Sequence, residues 1–269
     1  MPATRSAKRW LAPAAKTLAP RLFWGRKYRI LRRLGESRPD VRLAASLCDP
    51  ARISLDIGAD VGEFTIAMLG SSLSVIAFEP RPAQARDLAS MLKAVGAAAR
   101  VEAVALSDKR GTTSMRVVAS EPGRSTIDSK NALSDVNGSE VQSIDVPVTR
   151  LDDLHLDDIG MIKIDVEGHE LAVLRGASKT LVRNRPVVLL EAEERHRTDA
   201  VAEINQFLNG LGFSGYFDRG DAWLPIEEFD PAQHQNPANL GNRVNDWAPR
   251  GVYVNSFSFF PKMVEQQVK

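Results

Sequence analysis

Residues 55–65 read LDIGADVGEFT, and this stretch decides the fold. It closes the apolar run RISLDI (52–57) and passes through Gly58 and Gly62 into a helical pattern over Val61–Leu69. A short apolar run that stops at glycine reads as a buried strand, and glycine lets the backbone turn sharply close to a ligand. The helix that follows points its electropositive end at the same place. The rhythm repeats outward from here. LSVIAFE (73–79) is a second strand, and Pro82–Val95 is a helix with Leu88, Met91, Leu92 and Val95 on one face. VEAVAL (101–106), GMIKIDV (160–166), PVVLLEA (186–192), FSGYFD (213–218) and VYVNSFSFF (252–260) read as further strands, with helices over 169–183 and Ala200–Leu211. Apolar strands alternating with amphipathic helices predict an α/β domain whose parallel sheet is covered on both faces. Such sheets bind ligands at the carboxyl ends of their strands, so the loops after residues 57, 79, 106, 166 and 192 should converge on one cleft.

Composition removes several classes. The chain has 269 residues, 43% hydrophobic and 26% charged, which suits one large domain with terminal additions. Cys48 is the single cysteine, so no intramolecular disulfide can form; it reads as a small buried apolar residue. No Cys/His cluster suggests structural zinc, and no apolar run approaches the roughly 18–20 residues that span a bilayer. Disulfide scaffold, spanning protein, coiled coil and disordered chain are excluded.

The net charge of +1 conceals an asymmetry. Residues 1–38 carry eleven Lys/Arg and one acid, Glu36, a net of +10, and the remainder carries 24 basic and 33 acidic side chains, a net of −9. We read residues 1–50 as a basic arm with short helices and 51–269 as the main domain. Pro2, Pro13 and Pro20 argue for a mostly unstructured start. Residues 21–34 place Trp24, Tyr28, Leu31 and Leu34 at helical spacing, with Arg26, Lys27, Arg29, Arg32 and Arg33 around the rest. The preferred reading is a helix packed on its own domain through that stripe. The alternative is a helix lying on an anionic membrane surface. A second short helix is expected over 40–48. The arm also has transit-peptide composition, without the apolar segment of a secretory signal. Two polar stretches, 119–140 and 219–250 (the latter with Trp223 and Trp247), read as loops or as excursions that shape an acceptor site.

The glycine spacing is G-x-x-x-G, not the dinucleotide G-x-G-x-x-G, and Asp60 stands in the turn where it would repel a pyrophosphate. Glu79 ends the second strand, 23 residues after Asp56, where a carboxylate can take two ribose hydroxyls. Asp56 can face an amine. Acids at both strand ends without a phosphate clamp suit a nucleoside with an amino-acid tail and a sulfonium, S-adenosylmethionine. A plain strand-to-helix turn is the competing reading of the two glycines.

These residues carry a resemblance. LDIGADVGEFT, IAFEPRP (76–82), VALSDKRG (104–111), VTRLDDL (148–154), IKIDVEGHELAVLRGA (162–177) and RPVVLLE (185–191) stand in the order and spacing of the FkbM-like methyltransferases. The chain resembles that family over residues 50–195, most specifically in IKIDVEGHE, and departs from it at Asp60, where such proteins usually carry Asn. The resemblance implies a seven-stranded, Rossmann-like class I methyltransferase sheet. It implies methyl transfer from S-adenosylmethionine to hydroxyls of sugars, glycolipids or polyketide-like molecules. By position, Asp56, Gly58 and Gly62 would line the methionine half of the cofactor, with Asp60 beside it. Glu79 would hold the ribose, and Ser107 and Asp108 would lie near the adenine.

Methyl transfer gains most from positioning and desolvation, but a hydroxyl acceptor also calls for a base. Strand alternation puts Lys163, Asp165 and Glu167 on one side, and three charges there are costly to bury unless they pair or serve a site. Asp165 and Glu167 are the candidate bases, with His169 and His196 behind them. The alternative is a structural Lys163–Asp165 pair with Glu167 capping the next helix. His155 and His234 read as surface residues. Asp165, Glu167, Glu191 and Glu193 could supply oxygen ligands to Mg²⁺, but nothing in their spacing demands a metal. The expected partner is a small-molecule or glycan hydroxyl acceptor, and the expected location is the cytoplasm. A cofactor-binding scaffold without turnover and an RNA methyltransferase using the arm are the competing functions. The second is disfavoured by the acidic domain and by the lack of aromatics among the basic residues. Oligomeric state is not legible.

Overall fold

The apolar strands assemble around β1 (Ile53–Ile57), which pairs in parallel with β2 (Ser74–Phe78) on one side and β7 (Ile159–Ile164) on the other. The computed structural model describes residues 16–133, 140–220, 222–239 and 253–262. Beyond β2 lies β3 (Ala99–Glu102), and beyond β7 lies β8 (Val187–Glu191), both parallel to their neighbours. The order is β10-β9-β11-β8-β7-β1-β2-β3. Of the last three strands, β11 (Ser256–Pro261) runs antiparallel between β8 and β9 (Phe213–Asp218). All six residues of β7 are buried, as a central strand covered on both faces requires.

The sheet has eight strands where seven were expected. The added one is β10 (Trp223–Pro225), a short antiparallel edge on β9 that ends at a proline, which cannot donate to a ladder. The run 101–106 also divides. Its start belongs to β3, while β4 (Ala105–Leu106) enters a second sheet of order β4-β6-β5. There β5 (Gly111–Val118) pairs antiparallel with β6 (Val141–Thr149), from Gly111↔Val148 to Val118↔Val141. This hairpin was not anticipated. It makes the polar stretch 119–140 the connection between two strands, of which 134–139 lie outside the described residues.

Helix α1 (Pro20–Ser37) buries Trp24, Leu31 and Gly35, and with α2 (Pro39–Ser46) it packs on α3 (Glu63–Met68) and α4 (Pro82–Ala94). Leu34 is 50% exposed, and Gly35 takes its expected place because Val41 approaches the helix there. The helix expected over 169–183 is two, α5 (Glu170–Arg175) and α6 (Ser178–Asn184). The break falls at Gly176, where a Cβ would stand 1.9 Å from the Ser107 carbonyl oxygen. Helix α7 (Ala200–Gly210) covers the same face, and α8 (Pro231–His234) lies in the excursion before β11. There His234, expected at the surface, is buried: its Nδ1 accepts from the Asp230 N–H and its ring stacks on Phe229. No described helix is long and apolar enough to cross a membrane. Residues 1–15 and Trp247 lie outside the described residues.

Candidate active site at the carboxyl end of the sheet

The turn after β1 is forced by a close approach. Gly58 has φ +83°, and a Cβ on it would lie 1.8 Å from the carbonyl oxygen of Asp165 at the end of β7. The β1 turn and the β7 end therefore touch backbone to backbone. Beside them opens a cleft. Its polar lining includes Gly58, Asp60, Glu79, Arg81, Ser125 and Asp165, and its apolar wall includes Phe78, Pro80, Val104, Leu106, Met115 and Ile127. Gly123, Ser125 and Ile127 come from the stretch after β5, so the polar loop covers one side of the cleft. Residues 222–239, the described part of the second excursion, do not reach it.

At the β2 corner, Glu79 is buried and its carboxylate is fully engaged. Oε1 accepts from the Arg81 backbone N–H (2.9 Å) and from Arg81 Nε (2.8 Å). Oε2 accepts from the Asp60 N–H (2.9 Å) and from Arg81 Nη2 (3.0 Å). The same Nη2 donates to Asp60 Oδ1 at 2.6 Å. The charge that Asp60 adds to the turn is thus answered by Arg81. Burial alone would lower the Arg81 pKa, but Glu79 and Asp60 outweigh it and raise it, so the guanidinium stays charged. Asp60 adopts φ +45°, the left-handed region that Asp and Asn tolerate.

The other expected cofactor residues stand apart from the cleft lining. Asp56 lies wholly buried beneath it, with Oδ2 accepting from Thr65 Oγ1 (2.5 Å) and Oδ1 4.0 Å from Lys163 Nζ. Burial raises its pKa, and Lys163 and Thr65 oppose that shift. Gly62 (φ +91°) precedes α3 and backs onto Leu88 of α4. Ser107 is fully buried, while Asp108 is exposed.

The β7 end carries a second acidic corner. Lys163 Nζ lies 3.3 Å from Asp165 Oδ2 and 4.3 Å from the centre of the Phe64 ring. The expected alternative is therefore half present: the Lys163–Asp165 pair exists, but Glu167 caps nothing. Glu170, the first residue of α5, ties down the turn before that helix, its Oε1 accepting from the Gly168 N–H (2.9 Å) and the Val166 N–H (3.3 Å). Burial lifts the Glu170 carboxyl to about 7. Glu167 itself sits at φ +53°, a strained position for a residue with a side chain. Its Oε2 is buried and has no aligned hydrogen-bond donor among the described residues. His196 Nε2 stands 3.2 Å away, in contact but not aligned. Burial, then the charges of Asp165, Glu193 and Glu191, push the Glu167 carboxyl well above the usual carboxylate range. Burial pushes His196 down, so its imidazole favours the neutral form.

The covering loop holds this turn in place. Thr126 Oγ1 and Asn131 Nδ2 donate to the Glu167 carbonyl at 2.8 and 2.9 Å, and Arg116 Nη2 donates to the Asp128 carbonyl at 2.5 Å. His169 is a strut in the same assembly. Its Nε2 lies 2.9 Å from Ser107 Oγ, and its Nδ1 lies 3.5 Å from Asp128 Oδ2. Beyond His196, Glu193 accepts from Tyr253 Oη (2.5 Å) and from Arg195 Nη2 (2.8 Å). No group of three or more His, Cys, Asp or Glu among the described residues is arranged to hold a metal ion.

Gly58, Asp60, Glu79 and Asp165 are thus brought together, with Glu167 and His169 in the adjoining turn. Arg81 and the struts Thr126, Asp128 and Asn131 were not anticipated. The need for a counter-charge between Asp60 and Glu79 was the one available signal for Arg81.

A mostly parallel sheet with a cleft at the carboxyl ends of its first two strands, lined by apolar side chains and a buried carboxylate, is the Rossmann-like α/β fold of class I methyltransferases. The chain matches the Methyltransferase FkbM domain over residues 56–214, more than half of its length, and it belongs to the FkbM methyltransferase family. It is similar to Methyltransferase sdnD of Sordaria araneosa, 29% identical over an alignment 204 residues long, gaps included, that covers 64% of this chain and 76% of that protein. A shorter likeness, 32% identical over 110 residues, covers 39% of this chain and 38% of the release factor glutamine methyltransferase of Cereibacter sphaeroides. Among solved structures, the FkbM methyltransferase of Methylobacillus flagellatus KT aligns with a TM-score of 0.49 at 16% identity. That alignment covers 79% of this chain, which spans 44% of the other.

Proposed function

We propose that this domain transfers a methyl group from S-adenosylmethionine to a hydroxyl oxygen of a sugar, glycolipid or polyketide-like small molecule. The observation that carries the reading is the contrast between two acids beside one cleft: Glu79, which lines it and is fully hydrogen-bonded, and Glu167, half-buried in the adjoining turn with an unpartnered Oε2. The cleft suits the cofactor. Glu79 lines the cleft, and a ribose diol binds its carboxylate by displacing donors that Arg81 and the Asp60 N–H supply; the apolar wall from Phe78 to Ile127 suits an adenine, and Arg81 is committed to two acids and so offers no free clamp for a pyrophosphate. When bound, S-adenosylmethionine supplies the methyl group on a sulfonium whose sulfur leaves with the bonding electrons. The protein's own part is to hold, to exclude water and to accept a proton.

Glu167 is the proton acceptor in this reading. It lies one residue beyond Val166, which lines the cleft, and its raised proton affinity suits a carboxylate that must take a hydroxyl proton. Asp165, paired with Lys163, lies two residues before it, and His196 is the neutral neighbour able to relay the proton onward. His169 positions the covering loop through Asp128 and Ser107. Asp56 supports the floor through Thr65 and Lys163.

Calorimetry with S-adenosylmethionine, using NAD⁺ as the control, tests the cofactor. A panel of sugars, glycolipids and polyketide-like alcohols, read by S-adenosylhomocysteine release, tests the acceptor. Saturable binding of the sulfonium compound alone, followed by turnover on a hydroxyl, is expected. Binding without turnover on any hydroxyl would sink the O-methylation reading, and binding of NAD⁺ would sink the cofactor assignment.

A further inference from the structure

Helix α1 has two faces, and packing on the domain uses one of them. Trp24, Leu31 and Gly35 turn inward, with Tyr28 and Phe23 half-buried beside them. At 100° per residue, Leu22, Arg26, Arg29, Ile30 and Arg33 fall on the opposite side. All five are exposed, with Leu22 at 76% and Ile30 at 49%. Leu18, just before the helix, and Leu34, on its flank, are exposed as well. Large aliphatic side chains among arginines on a solvent face are costly for a helix meant to face water alone.

The charges on that face are not spent internally. Lys16 pairs with Asp87 of α4, Arg32 pairs with Glu36, and Lys27 lies over the Trp24 ring. Arg26, Arg29 and Arg33 have no ion pair with an acid among the described residues. Between Lys16 and Gly35 the sequence holds no acid at all. The preceding sequence continues the composition with Arg5, Lys8, Arg9, Trp10 and Leu11. Leucine and isoleucine alternating with arginine is the composition that enters a headgroup layer: the aliphatic groups reach the acyl boundary while the guanidinium groups stay among phosphates. Neutral surfaces and other basic surfaces give such a face no electrostatic gain.

We infer that the outer face of α1, Leu22–Arg26–Arg29–Ile30–Arg33, docks the protein on an anionic lipid bilayer. The surface is separate from the cleft and does not depend on the reaction proposed for it. Two weak terms act together here, since a short apolar strip or a few basic residues alone hold only transiently.

The test is co-sedimentation of the full chain with phosphatidylcholine vesicles and with vesicles in which about a third of the lipid is phosphatidylglycerol. Binding to the anionic vesicles only, weakening as salt rises, is expected. The combined Arg26→Glu, Arg29→Glu and Arg33→Glu variant should bind at least about tenfold more weakly. The Leu22→Ser and Ile30→Ser pair should also weaken binding, and both variants should keep the wild-type unfolding midpoint because these side chains face solvent. Equal binding to both vesicle types, no binding to either, or unchanged binding by the variants would overturn the inference. A dimer in light scattering that dissociates in the Leu22→Ser and Ile30→Ser variant, without vesicle binding, would assign the face to a second copy and overturn it too.

Discussion

Glu79 and Glu167 are both acids that follow central strands of one sheet, and the fold treats them in opposite ways. Around Glu79 four donor contacts converge, three from Arg81 and one from the Asp60 backbone, so the side chain is fixed in place. Around Glu167 the donors bond the backbone carbonyl instead, and the half-buried carboxyl is left with an unpartnered Oε2 and an unaligned histidine. A carboxylate held by protein donors is oriented before any ligand arrives, and a ligand hydroxyl binds it in exchange for one of those donors. A carboxyl short of donors is suited to exchange a proton, because its two protonation states lie closer in free energy.

Substitutions separate the two corners. Glu167→Gln should lower turnover by about 10²–10⁴-fold, the usual range for loss of a general base, while calorimetry finds cofactor affinity unchanged. Equal losses of affinity and rate would erase the distinction. In the wild type, turnover should rise with pH as Glu167 loses its proton, because only the carboxylate can accept one; a profile without such a rise would count against it. Glu79→Ala should weaken cofactor binding by about 2–3 kcal/mol, roughly 30- to 150-fold, through loss of charged hydrogen bonds.

Glu170 sharpens the comparison from the side of stability. An unfolded glutamate loses its proton near pH 4.5, whereas folded Glu170 keeps it to about 7. Protonation therefore favours the folded state. That contribution is fully present below pH 4.5 and is lost as pH rises through 7. Glu170→Gln keeps an acceptor for the Gly168 N–H without the charge. It should stabilise the protein by about 2 kcal/mol at pH 8 and leave it nearly unchanged at pH 4, measured by denaturant unfolding. Asp60→Asn should have the smallest effect, under about 1 kcal/mol in cofactor affinity, because the Asp60 side chain is 36% exposed and Arg81 retains Glu79.

The parallel core of the fold was legible because its strands are buried on both faces and read as continuous apolar runs, as in β1, β2, β7 and β8. The β5–β6 hairpin was not, because GTTSMRVV and VQSIDVPVT bury one face alone and scatter their apolar residues among polar ones. Strand β10 is three residues long, too short for any periodicity to register. At the site, glycine spacing and strand-end acids were readable since they depend on local chemistry. Arg81 lay in the quoted motif IAFEPRP, but its role depends on two acids that only the fold brings within reach. The struts from Thr126 and Asn131 to the Glu167 carbonyl cross long stretches of chain and left no local mark. His234 misled because its polar sequence neighbours conceal a ring packed between Phe217 and Phe229.

The most direct test of the division between the two acids is a paired calorimetric titration of S-adenosylmethionine into Glu79→Ala and Glu167→Gln, with the wild type alongside. The account predicts saturable binding to the wild type and to Glu167→Gln, and binding to Glu79→Ala weakened by at least about tenfold. Wild-type affinity in Glu79→Ala, or losses of equal size in both variants, would contradict it.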